Sequence, residues 1–108
     1  MTISGLKKFY FVPDINDMRC GAHRLLQIVK HKHHLQTNNG DVFIFMSKNQ
    51  RTVKMVNFEK NAYYVHQKWF DNGKFLKPEF SRILSCHEIS RETLILLLST
   101  AIQTKIAI

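Results

Sequence analysis

The chain has 108 residues, with sixteen Lys and Arg against eight Asp and Glu, giving a formal charge of +8 at neutral pH. That length predicts one domain spanning 1–108 and excludes two full ones, and a hydrophobic content of 44% with 11% aromatics excludes a disordered tail. The cationic excess points to a polyanionic partner, because clustered positive charge concentrates anions and speeds encounter; the alternative is a charge that only keeps the domain in solution.

Phe9-Tyr-Phe-Val12 is a short aromatic and β-branched run closed by Pro13, which cannot donate to a ladder, and it reads as a first strand. Asp14 to Asp17 then offers several helix caps. Met18, Ala22, Leu25, Leu26 and Val29 recur at helical spacing, which predicts a helix from about 17 to 34. Asp17 and Arg19 at its start read as a cap and a salt bridge, in preference to a DNA or partner contact. The opposite face carries His23, Gln27, Lys30, His31 and His34, with Arg24 and Lys32 alongside, and is expected to be wet and basic. Thr37 to Gly40 breaks the helix.

The chain then becomes extended. Val42–Met46 is apolar on both faces, Arg51–Phe58 alternates, and Tyr63–Phe70 is aromatic and β-branched. Links of hairpin length between them predict an antiparallel meander. After the Asp71-Asn72-Gly73 turn, Lys74–Lys77 can return as a short strand ended by Pro78, and Arg82-Ile83-Leu84 as another. Ser90 caps a second helix whose Leu94, Leu97, Leu98 and Ala101 line one face. Ile95, Leu96 and Ile102 widen that face nearly all round. The helix is therefore either a core helix or one covered by a second copy or a partner. The fold expected is α+β, with both helices packed on one face of a three- to five-stranded, mainly antiparallel sheet.

The residues carry little catalytic chemistry. His31 and His34 share a helix face but His33 points away, and Lys32 stands between them, so no metal site is expected. Cys86-His87 are neighbours in an extended segment, where side chains diverge, so Cys86 reads as a small buried thiol. No phosphate-binding glycine loop or metalloprotease motif occurs. Asp14, Asp17, Asp41, Glu59 and Asp71 are scattered over element ends, and only their convergence on metal ions, tested at Asp17 or Asp41, would make a nuclease. The expectation is a protein that is no enzyme and needs no cofactor. Cys20 and Cys86 are too few for a disulfide framework and no apolar run is long enough to span a bilayer. A reduced, cytoplasmic chain with no membrane partner fits both facts.

The positive charge is better organised. Lys48, Arg51 and Lys54 cover the first hairpin tip and the strand after it, Lys68 lies on the next strand beside His66 and Tyr64, and Lys74 follows the Asn-Gly turn. Cations interleaved with rings suit phosphates and stacked bases. Arg19 and Arg24 are further candidates, and engagement of about five phosphates predicts a log–log salt slope of about −4 to −5 on duplex DNA.

The order Asp17-Met-Arg-x-Gly21, Gly40-x-x-Phe-x-Phe45, Lys54-Met-Val, Phe58-Glu59, Lys68, Gly73-x-Phe75 and Pro78 resembles the small TnpB-type accessory protein, the second open reading frame, of insertion sequence family sixty-six. The resemblance runs from about residue 9 to 102. It departs at Phe58, where the family has Trp, at Asn61-Ala62, where it has a double Gly, at Lys68-Trp69, where it has Lys-Arg, and at Gln50, where it is basic. The basic charge is thereby thinned. The resemblance implies a helper in transposition that works beside a separate, larger transposase. Two modes of action are expected: contact with DNA at the element's ends through the basic residues, or docking of the transposase through Leu94, Leu98 and Ile102 of the last helix, which could also join two copies.

Overall fold

Val42–Met46 (β2) is buried along all five residues, and a strand with no polar face must be covered on both sides. The computed structural model, which describes residues 7–76 and 86–99 and the backbone of 101–102, shows how that cover is supplied. Phe9–Val12 (β1) lies parallel to β2, an arrangement that needs a long crossover, and Ala22–His33 (α1) provides it. Thr52–Glu59 (β3) and Ala62–Trp69 (β4) continue from β2 as antiparallel neighbours, the meander expected from the short links. Lys74–Phe75 (β5) leaves this sheet. His87–Ile89 (β6) returns antiparallel to the far side of β1, Arg91–Ser99 (α2) follows, and Ala101–Ile102 (β7) pairs with β5. The sheet order is β4-β3-β2-β1-β6, an α+β arrangement in which β1 and β2 form the one parallel pair among the described residues.

Alternation along the strands divides the core in two. On one face Val12, Phe43, Phe45 and Val56 pack against Leu25, Leu26 and Val29 of α1. On the other, Phe9, Phe11, Val42, Ile44, Met46, Val53 and Met55 pack beneath Leu94 and Leu97 of α2 and Phe75 of β5. The helices thus lie on opposite faces of the sheet, not together on one as the sequence reading expected. The cause is β2: with helices on one side only, either its two phenylalanines or Val42, Ile44 and Met46 would face water.

Helix α1 starts five residues later than its apolar spacing suggested. Its N-cap is Gly21, which makes no side-chain cap, and Leu25 N donates to the Gly21 carbonyl. Asp17 does not cap it; its carboxylate accepts from Arg19 instead. The carbonyls of Met18 and Cys20, which a longer helix would use internally, are turned to the Lys54 ammonium at 3.4 and 2.7 Å. His34 ends the helix in the left-handed region. Ser90 caps α2 as expected, accepting from Thr93 N at 3.1 Å. Gly40, at φ +90°, sits where a Cβ would come within 2.9 Å of Lys7 Nζ, so only glycine closes this turn above the Lys7–Glu59 ion pair. Lys77, Pro78 and the strand expected at 82–84 lie outside the described residues.

Candidate nucleic-acid interface

The turn between β2 and β3 is built by its own polar side chains. Asn49 Oδ1 accepts from Ser47 Oγ at 2.7 Å and from Arg51 N at 3.0 Å, Ser47 Oγ accepts from Thr52 N, and Gln50 takes a left-handed φ of 62°. This holds Lys48 at the exposed tip. Phe75 N donates to the Gln50 carbonyl at 2.7 Å, which docks β5 on the same turn and brings Lys74 beside it. Arg51 donates to the Asp71 carbonyl, tying in the next turn while keeping its charge. Lys48, Arg51 and Lys74, which are 26 residues apart at most by number, therefore share one pole of the molecule. Among the described residues none of the three is ion-paired with a carboxylate.

The other predicted cations are placed differently. Arg19 borders the same depression as Lys48, along with Asn16, Ser47 and Asn49, but its guanidinium is held by both Asp17 oxygens at 3.0 and 3.1 Å. These hydrogen bonds from the Arg19 side chain and backbone pull the Asp17 carboxyl down to about 2, so the pair stays ionised. Lys54 is only 8% exposed and spends its ammonium on the loop before α1, so it cannot reach a phosphate outside. Lys68 donates to the Leu98 carbonyl at 2.7 Å, at the negative end of α2, with its ammonium 5.1 Å from the Phe70 ring. Arg24 is exposed on α1. The sheet cations do not form the single surface that spacing alone suggested, because alternation sends Lys54 inward toward α1 and Lys68 to the opposite face.

A groove between α1 and the β3–β4 hairpin went unnoticed in the sequence. It is lined by His23, Lys30, His31, Phe58 and Tyr63, and its floor is fixed by a 2.6 Å hydrogen bond between His23 Nδ1 and Tyr63 Oη, with the Phe58 and Tyr63 rings 4.7 Å apart. The helical spacing of His23, Lys30 and His31 was visible; their meeting with Tyr63, forty residues on from His23, was not. His33 turns the other way, to Asp14 at 3.0 Å.

The candidate partner helix also differs from expectation. Leu94 is buried at 1% exposure and Leu98 packs partly against the core, so neither is presented to a partner, and the Ile102 side chain lies outside the described residues. Ile95 and Leu96 are the exposed pair, at 56% each. Burial, then the nearby Asp14 charge, pushes the Cys86 thiol up to about 12, which leaves it a poor nucleophile. Among the described residues no three His, Cys, Asp or Glu side chains gather as a metal site, and no helix is long and apolar enough to cross a membrane.

The family model for IS66 Orf2 like protein matches residues 7–106. The chain belongs to this family. It matches no curated protein and no solved structure. As an IS66 Orf2-like protein it is a transposition-associated accessory protein, and the matched span covers both helices, the whole sheet and the basic pole.

Proposed function

We propose that this IS66 Orf2-like chain is a non-catalytic, cytoplasmic accessory factor that binds DNA at the ends of its insertion element through the pole formed by Lys48, Arg51 and Lys74. The observation carrying this reading is that these three cations share one pole, held by backbone and turn hydrogen bonds, with no carboxylate partner among the described residues. Three phosphate contacts release about three counterions' worth of affinity, so log affinity for duplex DNA should fall against log salt with a slope of about −3. Fluorescence anisotropy across a salt series measures it. The triple variant Lys48→Ala, Arg51→Ala, Lys74→Ala should flatten the slope, and a wild-type slope near zero rejects the reading.

A second reading is favoured by Ile95 and Leu96. Two large apolar side chains side by side on the outer surface of α2 suit a docking contact for the transposase. Replacing both by Glu should abolish co-purification with the transposase and leave DNA affinity intact; loss of DNA affinity with retained co-purification would reverse the assignment.

A further inference from the structure

Strand β4 is an outer strand of the sheet, eight residues long against three for β6 at the other edge. It is exposed from Tyr63 to Trp69, with Tyr63 and Val65 at 45% and Trp69 at 66%. It contains no proline, glycine or acidic residue. Natural sheets rarely leave so long and apolar an edge open, because its free N–H and C=O groups template another strand.

The hydrogen-bond phase says which groups have no strand partner among the described residues. Phe70 N donates to the Arg51 carbonyl, and the β3–β4 register runs from Thr52 opposite Trp69 to Glu59 opposite Ala62. Antiparallel ladders alternate inward and outward groups, so Ala62, Tyr64, His66 and Lys68 bond to β3 while the backbones of Tyr63, Val65, Gln67 and Trp69 point outward. We propose that β4 pairs antiparallel with β4 of a second copy about a two-fold axis at His66, joining two five-stranded sheets into one.

The strand is self-complementary in this register. A two-fold axis normal to the sheet returns each face to itself, so the residue on the axis fixes every pair. Centring on Val65 would set Trp69 against Asn61, a turn residue with φ 64° outside the strand. Centring on His66 sets Tyr63 against Trp69 and Val65 against Gln67 of the second copy, which matches every outward residue of the strand and forms about eight backbone hydrogen bonds. The two Tyr63–Trp69 pairs lie on the α1 face. Tyr64 meets Lys68 on the other, where a ring beside a cation is favourable. Lys68 is the only Lys or Arg on the strand. The remaining repulsion between two chains of +8 is long-range and screened beyond about 8 Å at physiological salt.

Sedimentation velocity on the full chain at about 10–100 µM tests the proposal, with a dimer expected that strengthens as salt rises, opposite in sign to DNA binding. Val65→Pro removes one outward N–H and leaves the β3 ladder intact, so it should give a monomer with an unchanged circular dichroism spectrum. His66→Cys places the two thiols on the axis at a non-hydrogen-bonded pair, with Cα atoms about 4.5 Å apart, within disulfide reach. Mild oxidation should link that variant into a dimer and leave Val65→Cys, whose thiols are offset along the strands, unlinked. A wild-type chain that stays monomeric overturns the proposal and leaves the edge to an extended segment of another protein. Preferential linking of Val65→Cys, or a dimer that survives in Val65→Pro, overturns it as well.

Discussion

Replacing Lys54 by Ala separates a structural lysine from a DNA-contacting one. The side chain is 8% exposed, and its ammonium holds the Met18 and Cys20 carbonyls, which fixes the entry to α1. Truncation to Ala removes three buried methylenes, worth about 2.4 kcal/mol at about 0.8 each, together with a hydrogen bond from a charged donor, worth about 1.5–3 kcal/mol. The sum is about 4–5 kcal/mol, of which relief of ammonium desolvation returns a part, so a loss of about 4 kcal/mol is expected. For a domain of this size that lowers the melting temperature by roughly 15–20 °C. Lys48→Ala, at the exposed tip, should stay within about 0.5 kcal/mol of wild type while reducing the DNA salt slope by about one. Thermal melts by circular dichroism, paired with anisotropy titrations, give both quantities for both variants. If Lys54→Ala melts within a few degrees of wild type and shortens the salt slope instead, Lys54 is a phosphate ligand and not an interior group.

Asn57 is fully buried on the α2 face of β3, and neither its amide nitrogen nor its oxygen has a hydrogen-bond partner among the described residues. Asn57→Val should therefore stabilise the fold by about 1–2 kcal/mol, seen as a melting temperature several degrees higher; a lower one would show that the amide is satisfied. Asp14 governs acid behaviour. Burial pushes its carboxyl up, but hydrogen bonds from Lys32 and His33 outweigh this and hold it below the ordinary carboxylate value. A depressed folded-state value means the carboxylate stabilises the fold fully above about pH 4 and loses that contribution as pH falls further. Melting temperatures between about pH 5 and 2 should decline less steeply in Asp14→Asn than in wild type, and parallel curves would remove the Asp14 cluster from the explanation.

The elements were legible where periodicity and punctuation agree. β1 to β4, the hairpin links and the Ser90 cap follow from alternation, turn residues and capping chemistry in the sequence itself. The placement of α2 was legible too, in principle: Phe43 and Phe45 alternate with Val42, Ile44 and Met46, and five apolar residues in a row require two layers of cover. The start of α1 was not, because apolar spacing from Met18 continues the helix pattern, while a lysine 34 residues beyond Cys20 in the chain decides where the backbone departs from it. The same long-range contact removes Lys54 from the surface. Alternation along β3 puts it on one face with Val56 and Phe58, and only the arrival of α1 over that face makes it an interior group. Charge spacing identifies which cations exist; the strand faces decide which of them remain available.

The two neighbours of β1 come from different stages of the chain: β2 follows it directly after α1, whereas β6 is contributed only by residues 87–89, just ahead of α2. During synthesis the α1 layer can close while the other half of the domain is still missing, with Phe9, Phe11, Ile44, Met46 and Met55 uncovered and the β1 flank unpaired. A copy of the gene interrupted by a stop codon after β4 would encode a sheet clad on one side only. Such a product should clump or be degraded by the host and not persist as a weakened helper, so termination after β4 would silence it as completely as loss of the gene.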